Sequence, residues 1–209
     1  MTDERAWTRE PTTEQDHVLD TRSLRALAHP VRVKIIGILR RDGAATASQL
    51  ATRLDLNSGA TSYHLRQLAG AGLIVEDETR GNRRERWWKA VYRSTYFDAS
   101  AYDADPDAAM AYLNAVAVQY ADRILAGTST LPVLPEGWFD AATMSDFSLR
   151  ITPDEARELL TELLDVVARY RRDGASADAP AGSERVVVQL QVLPELAPEG
   201  TDPSAEPEG

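Results

Sequence analysis

Three helical patterns separated by tight breaks constrain the fold of this chain more than any other feature of its sequence. Apolar residues recur at helical spacing from Pro30 to the stop signal Asp42-Gly43. Thr46 and Gln49 then form a capping box that begins a second helix. After one further break, a third helix is predicted over residues 58–70.

A hairpin pattern follows the third helix. The β-like runs Leu73–Val75 and Trp87–Tyr92 flank a basic stretch with a Gly-Asn turn. A short helix is also predicted over 22–28. The order along the chain is therefore this short helix, the two helices that begin at Pro30 and after Thr46, the helix over 58–70 and the hairpin. This order predicts a winged helix-turn-helix domain over residues 21–95 and a mainly α fold class with a winged-helix β-hairpin (α+β).

Charge is distributed unevenly along the chain. The 209 residues include 23 bases and 33 acids, for a net charge of -10. Residues 21–93 nevertheless hold 14 Lys/Arg against 6 Asp/Glu, a local balance of +8, while the rest of the chain stands at -18. A basic block inside an acidic protein indicates a polyanion-binding module joined to something else.

The third helix carries the residue types that contact DNA. In a helix-turn-helix, the second helix of the motif lies in the major groove with its N-terminal part against base edges. Helical spacing places Ser58, Ser62 and Arg66 on one face, with Gly59, Thr61 and Tyr63 beside it. Short hydroxyls contact phosphates or bases, Gly59 permits a close approach, and Arg66 pairs with guanine or phosphate.

The predicted wing adds a second basic surface. Its candidate DNA contacts are Arg80, Asn82, Arg83, Arg84 and Arg86. Arginine at a hairpin tip is attracted by the negative potential of the minor groove. The alternative is a winged-helix module that binds proteins and no operator; an acidic or apolar recognition face is typical of that class, whereas this face is hydroxylated and basic.

Residues 20–95 resemble the ArsR-type winged-helix regulators. The resemblance rests on Ala28-His-Pro-Val-Arg32 and on the run Ser62-Tyr-His-Leu-Arg-Gln-Leu68. It implies a homodimeric prokaryotic transcription factor, usually a repressor of a palindromic operator that an effector releases from DNA. It also assigns DNA contacts to the six residues of the third helix named above. Metal sensors of the family use cysteines or His/Asp clusters, and this chain has no cysteine, which places it in a non-metal branch.

The acidic half is expected to supply dimerisation and regulation. We predict a dimerisation helix within 96–127, over about 104–126, whose Tyr112, Val116 and Tyr120 stripe forms the seam. A regulatory or dimer module is predicted over 128–194, with a strand at 147–151, a helix from Thr152 and a strand at 186–193. Residues 1–20 are predicted to be flexible, and 195–209 to be a disordered acidic tail.

Five aromatic residues are candidates for an effector pocket that binds a small organic molecule, with a protein partner as the alternative: Tyr112, Tyr120, Trp138, Phe139 and Phe147. The three scattered histidines predict no metal site, and no cofactor is expected. No phosphate loop, G-x-S-x-G or HExxH motif is present, so an enzyme is not expected. No apolar run approaches the roughly 18–20 residues of a membrane span, so we expect a cytoplasmic protein with no membrane partner.

Overall fold

The computed structural model describes residues 16–80, 85–170 and 179–195. Its helices are α1 Thr21–Leu27, α2 Pro30–Asp42, α3 Ala47–Leu54, α4 Ser58–Gly70, α5 Ala99–Ala104, α6 Pro106–Thr130, α7 Trp138–Ala141 and α8 Pro153–Ala168. A 3-10 turn, Leu131–Val133, follows α6. The strands are β1 Asp16–Val18, β2 Ala45–Thr46, β3 Ile74–Glu76, β4 Trp87–Ala90 and β5 Ser94–Tyr96.

The predicted winged-helix α+β fold is confirmed. Strands β3 and β4 form the antiparallel wing, with Val75 opposite Lys89, and β2 pairs with the other edge of β4 in the order β2-β4-β3. One hydrophobic core joins α1 to α4, the sheet and α6. Its largest fully enclosed apolar side chains are Leu24, Leu27, Ile35, Leu50, Leu65, Leu68 and Leu73. This core holds the helix-turn-helix rigidly against the wing.

The helix starts predicted from capping residues are also confirmed. The Thr46 hydroxyl accepts a hydrogen bond from the Gln49 backbone N–H at 3.2 Å, and the Gln49 side chain accepts from the Thr46 N–H at 3.0 Å. Pro30 occupies the first turn of α2, and the Nδ1 of His29 accepts from the Val31 N–H. Asp55, in a left-handed conformation with φ 52°, ends α3 and makes the tight turn toward α4.

Helix α6 packs across α1 and α2, so it belongs to the same body as the winged helix. Where α6 crosses α2, the Gln119 side chain lies against Gly37, and a Cβ at Gly37 would lie 2.7 Å from the Gln119 Nε2. Ion pairs flank this contact, from Lys34 to Asp122 at 2.6 Å and from Arg25 to the α6 N-cap Asp105 at 2.6 Å. The helix ends at Thr130, beyond the stop expected near Gly127.

The N-terminal segment is more ordered than expected over its last residues. Strand β1 pairs in parallel with β5, with His17 opposite Thr95, and Leu19 enters the core. The prediction of a flexible segment is therefore wrong from Asp16 onward, because residues 16–18 pair with a strand far along the chain. Residues 1–15 lie outside the described part. Beside β1, the Arg40 Nε donates to a main-chain carbonyl, and burial lowers the pKa of Arg40 to about 10.

The C-terminal part corrects two predicted strands. Neither 147–151 nor 186–193 pairs with another strand among the described residues; both run as exposed, unpaired chain. A strand needs a neighbour for its main-chain hydrogen bonds, and alternating apolar residues do not supply one. Helix α8 forms as predicted, with a capping box between Thr152 and Glu155. Its apolar stripe is only half-buried. No described helix has the length and apolarity to cross a membrane.

Candidate nucleic-acid interface

Helix α4 presents a small polar face on a rigid base. Its first turn is held by Asn57, whose Oδ1 accepts from the Ala60 N–H at 2.8 Å. Leu65 and Leu68 are enclosed in the core, so the opposite side of the helix is fixed toward solvent. Residues 59, 63 and 66 lie at the centre of that outer side, with Ser62 and Gln67 at its edges.

Thr61 does not belong to this face. Its side chain is fully buried, and its hydroxyl donates to the Asn57 carbonyl at 3.0 Å. The prediction that Thr61 faces DNA is therefore wrong; its side chain braces the start of the helix. The outer face is centred on Tyr63, which is 50% exposed, and not on the predicted Ser58–Ser62 line. Ser58, Gly59 and Arg66 are exposed, and Ser62 is half-buried.

Gln67 was missed by the sequence reasoning. It follows Arg66 and is exposed at the edge of the same face. Glutamine pairs with adenine through two hydrogen bonds, as arginine does with guanine. The available signal was its position four residues after Tyr63, because helical spacing places the two side chains on one face of α4.

The described part of the wing holds two of its predicted arginines. Arg80 lies over the Trp87 ring, 5.8 Å from its centroid, and 3.8 Å from Asp77. Arg86 lies 3.8 Å from Glu76. Both guanidinium groups are largely exposed, so these pairs orient them only weakly. Asn82, Arg83 and Arg84 lie outside the described residues.

Asp77 braces the base of the wing. It is buried, and it accepts hydrogen bonds from the Thr79 hydroxyl at 2.7 Å and the Lys89 Nζ at 3.2 Å. The Thr79 hydrogen bond, followed by Lys89, lowers the pKa of Asp77. Trp88 packs against the core. The neighbouring Trp87 lies on the opposite face of the strand, where its ring contacts the Arg80 guanidinium. The wing is thus anchored at its root by one carboxylate and one indole.

Two histidines meet behind the recognition helix. The rings of His29 and His64 lie 4.7 Å apart, although the sequence separates them by 35 positions. Burial, together with the nearby Arg32, lowers the pKa of both imidazoles. Burial therefore favours the neutral form of both imidazoles in the folded protein. Among the described residues, no group of three His, Asp or Glu side chains is arranged to hold a metal ion.

Among the described residues, no ring contact joins any two of the five aromatic residues proposed for an effector pocket. Tyr112 is buried beside Phe97, with ring centroids 5.8 Å apart, and burial raises its pKa. Phe139 and Phe147 are 65% and 83% exposed on the C-terminal part, whereas Tyr120 and Trp138 are half-buried. A shared pocket for all five stays a prediction.

The helix-turn-helix geometry agrees with a comparison against protein families. A family model described as a helix-turn-helix domain matches residues 27–77, about a quarter of the chain. This range runs from the end of α1 to the start of the wing and contains all of α4. Over these residues the chain resembles ArsR-type winged-helix regulators. Its helix-turn-helix supports a DNA-binding transcriptional regulator, a class that is typically not enzymatic. No curated protein matches the chain significantly.

Several solved structures are similar to part of this chain. A possible transcriptional regulator for arsenical resistance is 26% identical, covering 52% of this chain and 96% of that chain, with a TM-score of 0.30. M. tuberculosis Rv0081 is 24% identical, covering 50% of this chain and 87% of that chain, with a TM-score of 0.29. A mutant of Lactococcus lactis ZitR is 15% identical, covering 68% of this chain and 82% of that chain, with a TM-score of 0.30. TM-scores this low do not establish a common arrangement over the aligned lengths.

Proposed function

We propose that this regulator is a homodimeric repressor that binds a palindromic operator through α4 and the wing. The observation that carries the proposal is the outer face of α4, where Tyr63 and Arg66 stand exposed above a closed apolar core. Arg66 reads guanine, Gln67 reads adenine, and Ser62 contacts phosphate or a base edge. The exposed arginines of the wing add phosphate or minor-groove contacts.

Dimerisation is assigned to the outer face of α6. The predicted seam of Tyr112, Val116 and Tyr120 points the wrong way for this role, because Tyr112 and Val116 pack onto the subunit's own core. Between Met110 and Leu125, the opposite face of α6 is exposed and carries no charge. It consists of Met110, Leu113, Asn114, Ala117, Val118, Ala121, Ile124 and Leu125. An uncharged helical face of this length is typical of a subunit interface.

Two copies related by a two-fold axis place two recognition helices on one side of the dimer. Such a dimer binds half-sites about one DNA turn apart, so its operator repeats in inverted orientation. The test is selection of bound sequences from a pool of random duplexes by the full-length protein. We expect an inverted repeat with about 10 base pairs between half-site centres. Enrichment of single, unpaired half-sites would contradict the dimeric operator, and no enrichment would contradict operator binding.

Residues 131–193 are proposed to form a regulatory module for a non-metal effector, a small organic molecule or a protein. In the described chain, no residue after Ala115 is buried, so this part adds nothing to the core of the winged helix. Its charge is acidic, which makes phosphate contacts unfavourable. A chain ending at Thr130 is expected to bind the operator but to lose regulation of the target promoter in cells. Unchanged regulation by the shortened chain would refute the assignment.

A further inference from the structure

Residues 186–195 form an apolar stretch that pairs with no strand among the described residues. Its three consecutive valines, 186 to 188, are each more than half exposed. No main-chain hydrogen bond joins this segment to another part of the described chain. The side-chain Nε2 of Gln189 is enclosed and has no hydrogen-bond partner among the described residues. β-branched residues in this density favour a strand, and a strand requires a neighbour.

The sequence of this segment is complementary to itself in the antiparallel sense. Residues 188–192 read Val-Gln-Leu-Gln-Val, the same in both directions. Antiparallel pairing reverses one strand, so two copies centred on Leu190 place each side chain opposite its own kind. The match continues outward, with Val187 opposite a leucine. At each end Arg185 stands opposite Glu195 of the partner subunit, which gives two complementary charge pairs.

The same register accommodates the proline at position 194. Antiparallel pairs alternate between hydrogen-bonded and non-hydrogen-bonded types. If the Leu190 pair is of the non-hydrogen-bonded type, Pro194 falls in a pair of that type as well, because it lies four positions away. Its missing N–H then costs no ladder hydrogen bond. The glutamines at 189 and 191 face each other in hydrogen-bonded pairs, where their amides can bond across the strands.

We propose that residues 185–195 of two copies of this chain pair as antiparallel strands about a two-fold axis at Leu190. The occupant is a second copy, since a foreign strand has no reason to match both the palindrome and the terminal charges. A two-stranded ribbon is marginal by itself. The proposal therefore rests on the proposed α6 dimer, which raises the effective concentration of one segment near the other. Arg185 keeps its 3.2 Å contact with Asp42, because a guanidinium has five N–H donors.

Single cysteines test the register directly, because the chain has none of its own. Leu190→Cys places two thiols in one non-hydrogen-bonded pair, whose Cα atoms lie about 4.5 Å apart, within disulfide range. Val188→Cys is the matched control. In this register the two copies of position 188 are offset by four residues, roughly 14 Å, too far for a disulfide. Position 188 instead lies opposite Val192 of the partner subunit.

The experiment oxidises full-length protein under mild conditions and measures covalent dimer on non-reducing gels. We expect Leu190→Cys to form covalent dimers at least about ten-fold faster than Val188→Cys. Mixing Val188→Cys with Val192→Cys chains should restore crosslinking. Equal rates for Leu190→Cys and Val188→Cys, or no crosslink at all, overturn the proposal. Light scattering on the unoxidised proteins separates the two proposals: a dimer without the Leu190 crosslink refutes the strand pair alone, and a monomer refutes the α6 dimer.

Discussion

Aspartate at two neighbouring positions of α6 tests which face of that helix joins the subunits. Val118 is 45% exposed on the outer face, whereas Val116 packs against the subunit's own core. The substitutions Val118→Asp and Val116→Asp are chemically identical, and valine and aspartate have similar helix propensities. Differences between the two variants therefore report the environment of each position and not the side chain introduced.

The expected magnitudes follow from burial. Burying the exposed part of Val118 contributes about 0.7 kcal/mol per subunit, and the two-fold axis doubles this. Placing two carboxylates against an apolar face adds roughly 1 kcal/mol each. Val118→Asp should thus weaken the dimer by about 3 kcal/mol, or roughly 100-fold in Kd. Its subunits should keep their fold, because surface substitutions usually change stability by less than about 0.5 kcal/mol.

Val116→Asp should do the reverse. A carboxylate facing the core without a partner destabilises the subunit by about 3 kcal/mol, which lowers Tm by roughly 10 °C or more. The assay combines sedimentation over a concentration series with thermal unfolding of each variant, and Val118→Ala is the control for lost volume. A Val116→Asp protein that is folded and monomeric, beside a Val118→Asp protein that is still dimeric, would refute the assignment of the two faces.

Three further outcomes are expected. The pKa values of His29 and His64 are lowered by burial and by Arg32, so the unfolded state binds protons at a higher pH than the folded state does. The free energy of unfolding should therefore fall as pH drops below about 6.5 and level off below the lowered pKa values. His64→Gln should flatten this part of a plot of urea midpoint against pH. Asn57→Ala removes the cap of α4 and should cost about 1 kcal/mol, seen as a Tm about 2–4 °C lower; an unchanged Tm would contradict the cap's role. Zinc or nickel at near-stoichiometric concentration should leave operator binding unchanged in gel shifts, and release of the DNA would show a metal site that the chemistry of this chain does not predict.

Local signals in the sequence were sufficient for the winged helix. Capping residues such as Thr46 and Thr152 act within one turn, so they predict where helices begin whatever the rest of the chain does. The two β-like runs that flank the Gly-Asn turn likewise predicted a hairpin whose two strands are close in sequence. These elements could be placed because their partners lie within a few residues.

Features that depend on distant partners could not be placed. Strand β1 exists because residues 94–96 lie beside it, and His29 meets His64 only after α2 and α4 have packed. Thr61 shows the same limit at finer scale: a hydroxyl on a short helix suits either a DNA contact or a capping contact, and tertiary burial decides between them. Residues 186–195, for which a second copy of the chain is the proposed partner, extend the argument beyond a single subunit.

Affinity for a selected duplex as a function of salt tests DNA reading by α4 most directly. Wild type is compared with Arg66→Ala and with Arg157→Ala, which removes the same charge from the exposed surface of α8. We predict that log K falls linearly with log salt, that Arg66→Ala weakens binding by roughly 1–3 kcal/mol and relaxes one base position, and that Arg157→Ala matches wild type. Equal losses in the two variants, or no binding to any duplex at low salt, would contradict recognition by this helix.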